Sequence, residues 1–187
     1  MNKKLVAALS GGAAVLLTLT GCDGGDGDKK ADDWAKQVCD VVQPQSEKIR
    51  GASDSIRRAA NEQDSEKLQQ TDSAAFQQFS EAYAALAAAV EQAGPPPVKD
   101  GEKVRREVAA QLSQASNGYK GLKTTVDGLD TGNKARFASG LKGIADDLRE
   151  LTKTADQALR RLQRGEAGEA MRKQPGCQAK SPAAAGT

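Results

Sequence analysis

The chain has 187 residues, with 27 Lys+Arg against 25 Asp+Glu, a formal charge of +2, 3 Cys, no His and only 3% aromatic residues. Without His there is no Ser-His-Asp triad, no Cys-His dyad and no imidazole metal site. A charge this near zero gives no long-range field for capturing nucleic acid, and so few aromatics leave a thin, aliphatic core for one domain.

The chain opens with two cations, Lys3 and Lys4, followed by an uncharged and mostly apolar run from Leu5 to Thr20. That run is short for a membrane span, which needs roughly 20 apolar residues. A basic start, an apolar middle and small residues at the end are the parts of a secretory leader. The run closes on Leu19-Thr20-Gly21-Cys22. This tetrad resembles the lipobox of bacterial lipoproteins. The resemblance implies that residues 1–21 are a signal peptide cut before Cys22. It also implies that Cys22 carries a diacylglycerol through a thioether and becomes the first mature residue. The expected place is then the extracytoplasmic face of a membrane, with a released fraction beside the anchored one. Loss of Lys3 and Lys4 takes the 27 basic residues to 25, equal to the 25 acidic ones.

Residues 22–31 follow as a Gly/Asp tether, Asp23-Gly24-Gly25-Asp26-Gly27-Asp28. Such a composition buries nothing and predicts a flexible coil reaching about 15–20 Å. The far end, residues 178–187, is small, polar and predicted disordered.

Between them, over 32–177, the period is helical. In the first segment Trp34, Val38, Val41, Val42, Ile49, Ala52, Ile56 and Ala59 recur at steps of three and four. Pro44 falls inside this segment, so it either kinks one long helix or starts a second at its first turn. The second segment opens near Asp64-Ser65, carries Leu68, Ala75, Phe76, Phe79, Tyr83, Leu86 and Val90, and stops at Gly94-Pro95-Pro96-Pro97. The third runs through Val104, Val108, Leu112, Ala115, Tyr119, Leu122, Val126 and Leu129. After Asp130-Thr131-Gly132-Asn133 the fourth runs through Phe137, Leu141, Ile144, Leu148, Leu151, Ala155, Leu159 and Leu162. These stripes predict an all-α fold with almost no strand, an up-down-up-down four-helix bundle with helices roughly 40 Å long. Two helical hairpins that dimerise are the alternative; the expected state is a monomer.

With Cys22 assigned to lipid, Cys39 and Cys177 remain. The leader sends the body to an oxidising compartment, where an even pair is bridged. Helix one begins at the pole where helix four ends, and Cys177 lies far enough past helix four to fold back, so the two can meet. Their spacing is not Cys-x-x-Cys, which argues against a redox-active pair.

That pole gathers the start of helix one, the Gly94-Pro97 turn and the region after helix four, and the tether makes it the membrane-proximal one. Arg160, Arg161, Arg164, Arg172, Lys173 and Lys180 there outnumber Glu166 and Glu169. Contact with anionic head groups or polymers is one reading; complementing the helix dipole is the blander one.

Gly118, Gly121, Gly140 and Gly143 are poor helix formers inside helices. A fold-back at Gly132 brings Gly118 level with Ala145 and Gly121 level with Lys142. The group marks either a close helix crossing or a small cavity beside Tyr119. The carboxylates Glu81, Glu91, Asp146, Asp147 and Glu150 lack the His partners of di-metal bundles, no calcium-loop spacing occurs, and neither a nucleophile elbow nor a phosphate-cradling loop is present. No catalytic residue, metal or cofactor is therefore expected.

Leu19-Thr20-Gly21-Cys22, the Gly/Asp tether, Cys39-Asp40-Val41-Val42-Gln43-Pro44, Gly94-Pro95-Pro96-Pro97-Val98 and the late Cys177 together resemble the small secreted lipoproteins of high-GC Gram-positive bacteria such as streptomycetes. The resemblance implies a location and no assigned activity. The expected function is a non-enzymatic, lipid-anchored extracytoplasmic protein acting through contacts with an envelope protein or polymer. The alternative is a module that holds a small apolar or amphipathic ligand between its helices.

Overall fold

The computed structural model describes residues 24–178. Residues 1–23, on which the expected leader, lipobox and Cys22 fall, and residues 179–187 of the expected tail lie outside the described residues.

The described residues form six helices and no strand. These are α1 (Gly24–Ala59), α2 (Ser65–Ala93), α3 (Gly101–Asp127), α4 (Lys134–Leu162), α5 (Gly165–Lys173) and α6 (Pro175–Gln178). The four long helices form a helical bundle around one apolar core. Their buried faces are the stripes read from the sequence: Trp34, Val38, Ile49 and Ala52; Phe76, Phe79, Tyr83, Leu86 and Val90; Val108, Leu112, Ala115, Tyr119, Leu122 and Val126; Phe137, Ile144, Ala155 and Leu162.

Pro44 does not divide the first segment. It is exposed within the continuous α1. An exposed proline can leave its orphaned carbonyl to water, while the buried stripe on the other face holds the helix together.

The helix ends follow local chemistry. The Asp64 carboxylate accepts the backbone N–H groups of Glu66 and Lys67, and the Asn133 side chain accepts that of Arg136. Each satisfies donors that the first turn leaves without partners. Gly94 ends α2 at φ 75°, a left-handed value that favours glycine.

Successive helices run antiparallel. Trp34 Nε1 donates to Gly94 O at 3.0 Å and Lys48 pairs with Glu81 at 3.5 Å between α1 and α2. Ser116 Oγ donates to Ser80 O at 2.8 Å and Gln69 Nε2 to Val126 O at 2.8 Å between α2 and α3. The close backbone approaches are α1 to α2, α2 to α3 and α3 to α4. α1 finds its other close neighbours in α5 and α6, not in α4. The long helices therefore pack in series, and a C-terminal clasp of α5 and α6 lies against α1.

Two expectations change at the tether and the tail. Residues 24–31, read as flexible coil, are helical as the first turns of α1. Ala31 is buried, Gln174 Nε2 donates to Asp32 O, and Lys173 lies 3.7 Å from the Asp32 carboxylate. That docking fixes the helix one turn further in, and aspartates near a helix N-terminus suit its dipole. The region past α4, read only as a fold-back, forms α5 and α6, with Ala167, Ala170 and Met171 buried.

Candidate functional site

The strongest constraint in the molecule is at the pole where α1 meets α5 and α6. Cys39 and Cys177 are disulfide-bonded, with Cα atoms 5.0 Å apart and a sequence separation of 138. Cys39 is fully buried and Cys177 half-buried. Gly176 makes the approach possible, because a Cβ there would overlap the Cys39 carbonyl. The loop is long, so in the chain-entropy account the bridge stabilises the fold by about 5 kcal/mol.

The cations predicted to gather at this pole are mostly spent. Arg161 pairs with Glu107, Arg172 with Glu169 and Lys173 with Asp32. Of the described members, only Arg160 and Arg164 have no ion-pair partner among the described residues. The local excess of charge read from sequence therefore does not survive as a patch.

The glycine group divides in two. A Cβ on Gly118 would overlap the Leu151 side chain, and one on Gly140 would overlap Leu129. These two mark close contact along α3 and α4. At Gly121 and Gly143 an added Cβ would meet nothing within 4 Å, so neither serves a contact. Gly118 faces Leu151, six residues further along than the Ala145 expected from a fold-back at Gly132. Tyr119 packs against two other rings. Its ring lies 4.9 Å from that of Phe79 and stacks at 5.3 Å on that of Tyr83. Burial raises the ionisation of Tyr83 well above the usual tyrosine range and raises that of Tyr119 too, while hydrogen bonds with Thr152 and Tyr83 hold the Tyr119 shift back. Both hydroxyls stay neutral at any physiological pH.

The polar residues that sequence reasoning missed sit in the core stripes. Asp72 occupies an α2 core position, 8% exposed, and its Oδ1 has no hydrogen-bond partner. Burial pushes its carboxyl up to about 6 from an ordinary 3.8. Asp72 stands four residues from both Leu68 and Phe76, so the same stripe that predicted α2 could have flagged it. Gln45 and Gln111 likewise hold buried side-chain oxygens without a partner. Gln69 reads in the opposite way. Its Nε2 donates to Val126 O, Asp127 O and Leu129 O at 2.8, 3.3 and 3.0 Å. It closes the end of α3 and the turn into α4.

The surface of the described residues carries open hollows. One, of about 490 Å³, runs between the end of α1 and the start of α2 and is lined by Ser55, Glu62, Lys67, Thr71 and Gln78 among others. Another, of about 380 Å³, lies on α4 and is lined by Arg149, Thr152, Lys153, Asp156, Gln157 and Arg160. Among the described residues, no group of three or more Cys, Asp or Glu side chains is placed to hold a metal ion. Among them, too, no helix is long and apolar enough to cross a membrane.

No protein-family model, curated protein or solved structure matches the chain.

Proposed function

We propose that the protein is a non-enzymatic, extracytoplasmic adaptor, anchored by lipid at Cys22 and acting through contacts along its helical body. The Cys39–Cys177 bridge is the observation that carries this reading. Disulfides persist in oxidising compartments and are rare where thiols are kept reduced. The leader-like start and the Leu19-Thr20-Gly21-Cys22 tetrad support the same direction. The small secreted lipoproteins of high-GC Gram-positive bacteria remain the family that the chain resembles. In this reading the clasped pole faces the membrane, because it carries the start of α1. The Asn61-Glu62-Gln63-Asp64 and Asp130-Thr131-Gly132-Asn133 turns, with the helix flanks, face a partner.

Crosslinking in intact cells followed by mass spectrometry tests the reading. The expected result is crosslinks from lysines of the body to an envelope protein or polymer. Crosslinks confined to cytoplasmic proteins would overturn it.

A further inference from the structure

We propose that the outward face of α4 binds a linear, phosphate-bearing polyanion. The inference deepens the proposed function and rests on its contact-protein reading, but it names a surface and a chemistry that can be tested alone. Lys142, Arg149, Lys153 and Arg160 follow one another at steps of seven, four and seven. At 3.6 residues per turn these steps keep all four within an arc of about 40°. The arc lies opposite the stripe that buries Phe137, Ile144, Ala155 and Leu162. From Lys142 to Arg160 the row rises about 27 Å.

The four side chains are exposed, and Lys142, Lys153 and Arg160 have no ion-pair partner among the described residues. Arg149 pairs with Asp146 at 2.7 Å. This contrasts with the clasped pole, where Arg161, Arg172 and Lys173 are each matched by a carboxylate. The helix dipole accounts for Arg160, near the C-terminus of α4, but not for Lys142, which lies in its N-terminal half. The row therefore needs another reason.

Its centre is a hollow of about 380 Å³, where Arg149, Lys153 and Arg160 stand with Thr152 and Gln157 against a single carboxylate, Asp156. Arg offers a planar fork that matches phosphate oxygens in pairs, and Lys adds a point charge. A lone small anion can meet only one or two of cations spread over such a length. An extended chain of anions can meet all four. The face is also free to receive it, since among the described residues α3 is the only long helix that α4 approaches closely. The row holds no aromatic side chain on which a base could stack, so a nucleic acid is a poorer fit.

The test titrates the full chain, in non-ionic detergent, with linear polyphosphate of about 20 units at low salt, where exposed charges are least screened. Saturable binding is expected, with at least a tenfold loss in a Lys153→Glu/Arg160→Glu variant. Arg50→Glu/Lys120→Glu makes the same change in net charge elsewhere and should stay within about twofold of the parent. Equal losses in both variants would show that only net charge matters and overturn the proposal. So would the absence of saturable binding. Tighter binding to phosphatidylglycerol vesicles than to polyphosphate would replace the polymer with a lipid surface, and equal binding of poly-glutamate would remove the preference for phosphate. None of these results touches the lipid anchor, which is read from the mass of the mature chain.

Discussion

The two ends of the bundle are held by different means. At the clasped pole a covalent bridge, the Gly176 close approach and the Trp34–Gly94 hydrogen bond fix α1 against α6 and the α2–α3 turn. At the distal end the structure depends on side chains that serve backbone: Asp64 and Asn133 as caps, and Gln69 on three carbonyls. The same half of the core also carries the unpartnered Asp72 carboxylate. One end is thus tied by a constraint on the unfolded chain, the other by hydrogen bonds that act only in the folded one. The difference shows where the molecule should open first. Local opening should begin at the distal turns and spare the clasp.

Breaking the clasp should give the largest effect. Cys39→Ser/Cys177→Ser should lower stability by about 3–5 kcal/mol in denaturant unfolding. In hydrogen exchange the variant should lose protection in α5 and α6 first, reversing the order of the two ends. If protection there is unchanged, the clasp is not what holds them.

Asp72 comes next, and its sign is opposite. Its folded-state value of about 6 lies above the ordinary 3.8, so the folded protein holds a proton that the unfolded chain has already lost between those values. Stability therefore falls as pH rises from about 4 to 6, and the penalty is fully present at pH 7. Asp72→Asn should stabilise the protein at pH 7 by about 1–3 kcal/mol and flatten that part of the pH profile. A destabilised variant with an unchanged profile would mean that the carboxylate has a partner in solution.

Gln69→Ala should cost about 1–2 kcal/mol, because it leaves part-buried carbonyls at the end of α3 without a donor. Exchange should rise in the turn between α3 and α4 while the clasped pole keeps its protection. The smallest effects are expected at the glycines. Gly121→Ala and Gly143→Ala add a methyl in open space within helices and should stabilise by about 0.5–1 kcal/mol. Gly118→Ala and Gly140→Ala gain the same helix propensity but must displace Leu151 or Leu129, so thermal melting should rank them below the first pair.

Much of the fold was legible because helical burial leaves a period. Apart from Leu129, which falls in the turn past α3, the stripes from Trp34 to Leu162 and the punctuation at Asp64, Gly94 and Asn133 lie in or at the ends of the helices observed. The Cys39–Cys177 pair was legible from the expected compartment and the helix topology together. The start of α1 was not, because Gly and Asp read locally as coil. Its helix is set by Ala31 and Asp32 meeting α5 and α6, which only tertiary packing reveals. The cations misled for a related reason. A local sum of charges near Arg160 cannot show that Glu107, on another helix, neutralises Arg161. The axial stagger of α3 and α4 was also hidden, since the turn residues Gly128 to Asn133 do not fix which residues face each other.

The proposal that the protein works outside the cytoplasm, lipid-anchored and clasped, comes down to the state of three sulfurs. Mass spectrometry of the native protein after thiol alkylation, with the N-terminal peptide resolved, reads all three at once. The expected chain begins at Cys22, carries a diacylglycerol there and takes up no alkyl group at Cys39 or Cys177. A chain that keeps residues 1–21, or that is alkylated at Cys22, Cys39 and Cys177, would contradict the proposal.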